Sequence, residues 1–198
     1  MTTHYIDITL RPDPEFIPAH LLGALVTKLH RVLVQLRATD IGVSFPEYSL
    51  HPRTLGQILR LHGSEPALQR LMTQSWLQGM RDHVKLTDLL PVPADATHRI
   101  VQRHQFKTSI ERLRRRRMRR KGETAEQAVA AMNQTMIQNG SRVRQPDLPY
   151  VQLRSASTGQ PFCLFIDQGS DLTTATSGIF NSYGLSKGAT VPWFRAKR

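Results

Sequence analysis

Four side chains of this sequence have types that could take part in chemistry, and they lie far apart along the chain. His30 falls in "KLHRVLV", and Tyr183 precedes a glycine in "NSYGLSKG". Ser155 and Ser157 bracket Ala156 in "LRSASTGQ", which predicts that their hydroxyls share one face of a strand. Histidine exchanges protons near neutral pH, and hydroxyls can position a reacting group. Each residue also has a purely structural explanation. His30 could be a structural histidine at a helix edge, the two serines could end a strand before a turn, and Tyr183 could be an aromatic residue that packs in a glycine-rich loop.

A cluster of fixed positive charge lies in "SIERLRRRRMRRKG", residues 109–122. Within it, positions 112–121 hold seven arginines and a lysine. On a helical wheel these residues surround the helix and leave a thin apolar stripe of Ile110, Leu113 and Met118. A solvated surface helix is one interpretation, but such helices usually intersperse acids because like charges repel. Binding to a polyanion is the favoured interpretation, because the planar guanidinium fork suits phosphates and guanine edges.

Other kinds of catalytic site find no support in the sequence. The eight histidines form no H-x-x-x-H pair, and there is no P-loop and no G-x-S-x-G motif. No metal and no cofactor is therefore expected. The set that is left, histidine, serine, tyrosine and many cations, fits metal-free RNA cleavage. In such a reaction a base takes a proton from the 2′-hydroxyl and cations hold the phosphate.

Composition agrees with a polyanionic partner. The 198 residues include 27 Lys and Arg against 15 Asp and Glu, for a formal net charge of +12. A hydrophobic content of 39% is enough for a folded core. The single cysteine, Cys163, excludes an internal disulfide and is typical of a reducing cytoplasm. No signal-peptide pattern is present and no apolar run approaches about 18 residues, so we expect no membrane association.

The elements that must position these residues can be predicted from hydrophobic periodicity. Six segments of the first half follow the order β-α-β-β-α-β: 4–10, 17–38, 41–45, 54–63, 64–76 and 84–93. This order predicts an α+β protein with a ferredoxin-like (RRM-like) domain over residues 1–95. His30 lies about 100° from the centre of the apolar face of the first helix, between its buried and exposed sides.

Residues 96–198 are predicted to form a smaller α+β domain that carries the arginine-rich helix. A strand is predicted at 98–106, and a β-rich tail begins at Tyr150. Two capping boxes predict where the helices of this domain start: Thr108 with Glu111, and Thr124 with Gln127.

Six segments, taken in order, resemble one known family. They run from residue 4 to residue 194 and read "HYIDITLRPDPEF", "KLHRVLV", "IGVSFP", "ERLRRRRMRR", "LRSASTGQPFCLF" and "YGLSKGATVPWF". Together they resemble the CRISPR RNA-processing endoribonuclease of subtype I-F systems. The resemblance is weakest across 46–60 and 121–147.

The resemblance implies an activity and its catalytic residues. The family's enzyme binds the hairpin of each CRISPR repeat and cuts once at its 3′ base without a metal, leaving a 2′,3′-cyclic phosphate. Its catalytic histidine falls on His30, which would act as the general base. Its serine, which positions the attacking 2′-hydroxyl, falls on Ser155. Its tyrosine falls on Tyr183, which would orient His30.

The resemblance also implies RNA-binding residues. Arg103 and Gln105, in "RHQFK", would read bases near the foot of the stem, and Phe162 would stack under the terminal base pair. Ser157 is assigned to RNA binding beside the catalytic serine. The helix arginines assigned to the stem are Arg112, Arg115, Arg116, Arg119 and Arg120.

The implied partners are the CRISPR repeat hairpin RNA and neighbouring subunits of a type I-F surveillance complex, with the protein itself a cytoplasmic monomer. The sequence departs from the family pattern at Arg117, where an apolar residue is expected. Residues 121–147 and the basic tail 195–198 have no clear counterpart. A different class of function also fits: a hairpin-RNA-binding scaffold, with His30 structural and cleavage absent.

Overall fold

The structure, a computed structural model, describes most of the chain: residues 2–105, 118–124, 126–127, 147–155 and 157–196. It is an α+β protein, as predicted from the sequence, and its described part contains more strands than helices. The chain divides into two compact units, one formed by Met1–His104 with Leu148–Arg198 and the other by Gln105–Asp147. No helix among the described residues is long and apolar enough to span a lipid bilayer.

The strands, in chain order, are β1 (His4–Leu10), β2 (Gly42–Ser44), β3 (Ser49–Leu50), β4 (Arg53–Thr54), β5 (Ile58–Gly63), β6 (Val84–Leu86), β7 (Leu90–Pro91), β8 (Thr97–Arg99), β9 (Val101–His104), β10 (Tyr150–Arg154), β11 (Pro161–Gln168) and β12 (Val191–Trp193). The helices are α1 (Pro18–Leu36) and α2 (Glu65–Met72), and Arg81–His83 forms one 3-10 turn. All of these elements belong to the first unit.

The main sheet of the first unit has five strands in the order β2-β5-β1-β6, with β7 also paired to β1. Every pairing is antiparallel. Helix α1 buries one apolar face in the core, and the buried side chains are Leu21, Leu22, Leu25, Val26, Leu29, Val32 and Leu33. Their spacing of three and four residues is the reason that this segment forms an amphipathic helix.

A second sheet has the order β10-β11-β9 and packs against α1. The contact is closest at Gly23, where a Cβ atom would lie 2.7 Å from the carbonyl oxygen of Gln152 on β10. No real Cβ tolerates such a distance, so the absence of a side chain at Gly23 lets the helix backbone approach the strand. Two smaller sheets, β12-β8 and β3-β4, complete the described part of the unit.

The helices end earlier than the periodicity predicts. Helix α1 stops at Leu36 rather than at residue 38, because Arg37 adopts a left-handed conformation with φ of 49°. Helix α2 stops at Met72 rather than at residue 76. Trp76 and Leu77, which continue the apolar pattern, are buried from a turn segment instead.

Three predicted strands are interrupted. The segment 98–106 is divided between two sheets, because β8 pairs with β12 and β9 pairs with β11. The segment 54–63 is split because Gly56 has a φ of +78°, so that Thr54 belongs to the β3-β4 hairpin and β5 starts at Ile58. The segment 84–93 is split into β6 and β7 by one extra residue. Leu86 pairs with Ile8, and Leu90 pairs with Tyr5. Between these two pairs the chain advances four residues from β6 to β7 but only three residues along β1.

A buried ion pair crosses the centre of the main sheet. Arg60 on β5 is fully buried and donates two hydrogen bonds to the carboxylate of Asp7 on β1, at 2.6 and 2.8 Å. It also donates to the carbonyl of Phe194 at 2.7 Å and lies 3.8 Å from the centroid of that ring. Arg60 therefore ties the segment after β12 to the main sheet. Removing one partner from a buried pair of this kind costs about 3–5 kcal/mol.

The described residues of the second unit include part of the arginine-rich segment. Residues 118–121 are helical, and Gly122, with φ of +66°, donates its N–H to the carbonyl of Met118 at 3.0 Å. The capping box of Thr124 and Gln127 is confirmed, because each backbone N–H donates to the other side chain, at 3.0 and 3.3 Å. The first box, Thr108 with Glu111, lies outside the described residues. The domain boundary near residue 95 stays a prediction.

Candidate active site

Helix α1 presents His30 at the edge of its buried face. The side chain is half-buried, between the buried Leu29 and the exposed Arg31, as the helical wheel predicts. Its Nδ1 lies 2.9 Å from the carbonyl oxygen of Ser182. Since a carbonyl oxygen can only accept a hydrogen bond, Nδ1 must carry the proton in this contact. The neutral imidazole then has its lone pair on Nε2, which is the atom available to act as a base.

The ring of Tyr183 fixes the plane of the His30 imidazole. The two rings are stacked, with 4.0 Å between their centroids and 4° between their planes. Burial raises the pKa of the Tyr183 hydroxyl above its usual 10.0, and the nearby charge of Arg103 opposes part of that rise. Tyr183 is therefore neutral at physiological pH. The stacked ring and the Ser182 carbonyl together leave the imidazole little freedom to rotate.

The loop that carries Ser182 and Tyr183 is held by local hydrogen bonds. The Asn181 side-chain oxygen accepts from the backbone N–H groups of Tyr183 and Leu185, at 2.8 and 3.2 Å. Gly184 has φ of +72°, and its carbonyl accepts from the N–H of Val43 on β2 at 2.9 Å. The loop is therefore anchored to the main sheet. The sequence pattern did not single out Asn181, although an asparagine three residues before a glycine is a known turn signal.

Arg103 and Phe162 lie on the same face of the second sheet. In the strand pairing of this sheet, Arg103 is directly opposite Ile166, and Phe162 is directly opposite Leu153. The side chains of two directly opposite residues lie on the same face of the sheet. Leu153 and Ile166 are buried, so this is the face turned to the core. The Arg103 guanidinium carbon lies 6.0 Å from the Phe162 ring centroid. Because Arg103 also acts on the Tyr183 hydroxyl, the structure brings Arg103, Phe162, Tyr183 and His30 into one neighbourhood.

The two serines lie in a turn and not on a strand face, so that part of the prediction is wrong. Strand β10 ends at Arg154, and Ser155 starts a tight turn that its backbone closes with Gly159 and Gln160. The hydroxyls of Ser155 and Ser157 lie 3.2 Å apart, and the Thr158 N–H donates to Ser155 Oγ at 3.3 Å. The two hydroxyls therefore lie close together because of this turn and not because they share a strand face. No hydrogen bond joins Ser155 to His30 within the described part of the chain.

The remaining predicted RNA-binding residues divide into two groups. Gln105 directly follows β9 and is exposed, as are Arg119 and Arg120 in the helical residues 118–121. Arg112, Arg115 and Arg116 lie outside the described residues, and so does Arg117. Among the described residues, no three His, Cys, Asp or Glu side chains are grouped so that they could hold a metal ion.

Comparison with known proteins gives a consistent result along nearly the whole chain. A family model described as CRISPR-associated protein (Cas_Csy4) matches residues 5–194. A protein of Pseudomonas aeruginosa (strain UCBPP-PA14) named CRISPR-associated endonuclease Cas6/Csy4 is 47% identical over 191 residues, which cover 96% of this chain and 99% of that protein. A protein of the same name from Escherichia coli (strain UTI89 / UPEC) is 42% identical over 191 residues, with the same coverage. With a family model that spans almost every residue and two relatives of matching length, this chain belongs to the Cas_Csy4 family of CRISPR-associated proteins.

Proposed function

We propose that this chain is a metal-independent endoribonuclease that binds CRISPR repeat hairpin RNA and cleaves it at the 3′ base of the hairpin. The observation that carries the proposal is the state of His30. Its Nδ1 is occupied by the Ser182 carbonyl and its ring is stacked on Tyr183, so Nε2 is the free basic atom. The relatives named as CRISPR-associated endonucleases support the same reaction class.

The reaction needs one base from the protein, and its nucleophile is a 2′-hydroxyl of the RNA. His30 Nε2 takes the proton of the 2′-hydroxyl, the 2′-oxygen attacks the adjacent phosphorus, and the bond from phosphorus to the 5′-oxygen breaks. The upstream product then ends in a 2′,3′-cyclic phosphate, and the departing 5′-oxygen takes up a proton. Positioning of the attacking hydroxyl is the role of Ser155, and the neighbouring Ser157 hydroxyl holds the RNA beside it. No metal-bound water is needed, because the nucleophile is intramolecular.

The hairpin is bound by the sheet and by the arginine-rich helix. Phe162 stacks under the terminal base pair, while Arg103 and Gln105 contact bases at the foot of the stem. Arg112, Arg115, Arg116, Arg119 and Arg120 bind the stem phosphates. The exposure of Gln105, Arg119 and Arg120 supports this role.

We propose that His30, the base, is carried by a ferredoxin-like domain at the N-terminus. The β2-β5-β1-β6 order of the antiparallel sheet and the crossover helices α1 and α2 support this arrangement. The product hairpin stays bound, and the protein acts as a monomeric subunit of a type I-F surveillance complex in the cytoplasm.

A single assay separates this proposal from that of a hairpin-binding scaffold. Wild-type protein, His30→Ala and a hairpin with 2′-deoxyribose at the scissile nucleotide are compared in EDTA. We expect the wild type to cut the all-ribose hairpin, His30→Ala to bind it without cutting, and the deoxy hairpin to be bound and left whole. Cleavage of the deoxy hairpin would disprove attack by the 2′-hydroxyl. Tight binding by wild type with no cleavage would favour the scaffold.

A further inference from the structure

Gln160 immediately precedes β11, and the turn that joins β10 to β11 fixes its backbone. Its carbonyl accepts from the N–H of Ser155 at 2.9 Å, and its own N–H donates to Thr158 Oγ1 at 3.4 Å. The adjacent pair in the hairpin is Arg154 with Pro161, which is the last pair of the two strands. Gln160 therefore lies opposite Ser155, one step beyond the end of the strands.

This position makes Gln160 a neighbour of two residues of the candidate site. Opposite residues in an antiparallel pair have Cβ atoms about 4.5–5.5 Å apart, so Gln160 is next to Ser155. Residues two apart along a strand share a face and are separated by about 6.6 Å, so the alternation of β11 places Gln160 on the same face as Phe162. Gln160 is therefore adjacent both to the serine and to the aromatic ring.

The side-chain amide of Gln160 is available to a ligand. The side chain is exposed and makes no hydrogen bond with the part of the chain that the structure describes. A glutamine amide can donate two N–H groups. Arg154 is also near the turn, but it is paired with Pro161, so its side chain lies on the opposite face of the hairpin. A neutral amide donor, and not this arginine, thus shares the face of Phe162.

The part of the RNA that meets Gln160 follows from the proposed function, on which this inference rests. Phe162 stacks under the terminal base pair, so the bases of the stem lie on the far side of its ring. Ser155 positions the attacking 2′-hydroxyl, and the scissile phosphate is bonded to the neighbouring 3′-oxygen of the same ribose. The group that lies next to both Ser155 and Phe162 is then this phosphate and not the edge of a base.

We propose that Gln160 is a further catalytic residue, whose amide N–H donates to a non-bridging oxygen of the scissile phosphate. When the 2′-oxygen attacks, negative charge increases on the oxygens of the five-coordinate phosphorus. A donor held at such an oxygen stabilises this state more than the ground state, and the reaction is accelerated by the difference. Gln160 transfers no proton in this step, and His30 remains the base.

Single-turnover cleavage of the all-ribose hairpin at saturating protein tests this role. We expect Gln160→Ala to be slower by about 100-fold, the lower end of the range for loss of one donor to a developing oxyanion. Its affinity for the hairpin with 2′-deoxyribose at the scissile nucleotide should equal that of the wild type, which also shows that the variant is folded. Gln152→Ala is the matched control, since Gln152 is exposed on the same hairpin but pairs with Cys163 on the opposite face. It should cleave at the wild-type rate.

Sulfur substitution identifies the contact itself. Two hairpins carry sulfur at one or the other non-bridging oxygen of the scissile phosphate, where sulfur accepts a hydrogen bond more weakly than oxygen. We expect one of them to slow the wild type more than the other, and Gln160→Ala to lose that difference because it has no contact left to weaken.

Three results would overturn the proposal: a wild-type rate in Gln160→Ala, a loss of hairpin affinity as large as the loss of rate, or losses from the variant and from sulfur that simply multiply, as they do for independent sites. Failure of the proposed function is recognised separately, because wild-type protein would then leave the all-ribose hairpin uncut.

Discussion

His30, the proposed base, is held in one orientation by two neighbouring groups. The Ser182 carbonyl selects the tautomer, and Tyr183 sets the ring plane. The sequence predicts that His30 lies at a helix edge, because that follows from the periodicity of α1 alone. It does not predict the tautomer, since the carbonyl comes from a residue 152 positions later in the chain. That contact exists because Gly184 and Asn181 shape a loop whose form depends on long-range pairing with Val43.

The stacked geometry predicts that the Tyr183 ring matters more than its hydroxyl. Tyr183→Phe keeps the ring over His30, so we expect a cleavage rate close to wild type. Tyr183→Ala removes a contact worth about 0.5–1.5 kcal/mol, so we expect a rate lower by roughly two- to tenfold. Single-turnover cleavage at saturating protein measures both variants, and hairpin affinity serves as the folding control. A larger loss in Tyr183→Phe than in Tyr183→Ala would contradict this assignment.

At the scale of elements, the crossing of α1 and β10 connects the two ends of the candidate site. Helix α1 carries His30, and β10 leads directly into the turn of Ser155. The two elements touch where Gly23 meets the backbone of Gln152. The sequence predicts α1 within two residues of its observed bounds and a β-rich tail that begins at Tyr150, where β10 starts. It does not predict their contact, because nothing local to Gly23 indicates a strand from the other half of the chain.

We predict that Gly23→Ala slows cleavage through this contact. In an ordinary helix the change is favourable by about 1 kcal/mol, but here the new Cβ meets the Gln152 oxygen at 2.7 Å, so helix and strand must separate. The free energy of unfolding should fall, and kcat should fall while hairpin affinity changes little, because Ser155 moves relative to His30. Gly188→Ala is the control, since a Cβ at Gly188 has no neighbour within 4 Å. An increase in stability of Gly23→Ala at unchanged kcat would argue against this role.

Predicted and observed elements differ where one residue changes the direction of the chain. The periodicity of 84–93 continues through the extra residue between β6 and β7, and that of 64–76 continues past the end of α2 at Met72. After α2, Trp76 and Leu77 are buried from a turn segment, whereas in 84–93 Val84 is buried and Leu86, Leu89 and Leu90 are half-buried. The apolar pattern that continues past Met72 therefore predicts burial correctly where it does not predict the backbone conformation.

At the scale of the whole molecule, the chain has a formal net charge of +12, and polar groups are also buried in the core of its first unit. His62 on β5 is fully buried, and its Nε2 lies 2.8 Å from Ser44 Oγ. Burial, with the charge of Arg60, holds the pKa of His62 well below its usual 6.5. His62 is therefore neutral in the folded protein at mildly acidic pH, where an unfolded chain would protonate it.

This difference predicts a loss of stability in mild acid. Above pH 6.5 His62 is neutral in both states, so it contributes no pH dependence. As the pH falls below 6.5, the unfolded state binds the proton and the folded state does not, so the free energy of unfolding falls by at most about 1.4 kcal/mol per pH unit from this group. Denaturant unfolding at several pH values should show a weaker dependence in His62→Gln than in the wild type. His51→Gln, at an exposed position, is the control and should keep the wild-type slope.

The single cysteine of the chain has a practical consequence. Cys163 is exposed on β11 and, by the alternation of strand side chains, lies on the opposite face of the sheet from its neighbour Phe162. A maleimide dye therefore attaches at one position without any engineered mutation and on the side turned away from Arg103 and His30. Energy transfer between this dye and one placed on an RNA would report arrival of the hairpin and departure of the cleaved strand as separate events in time.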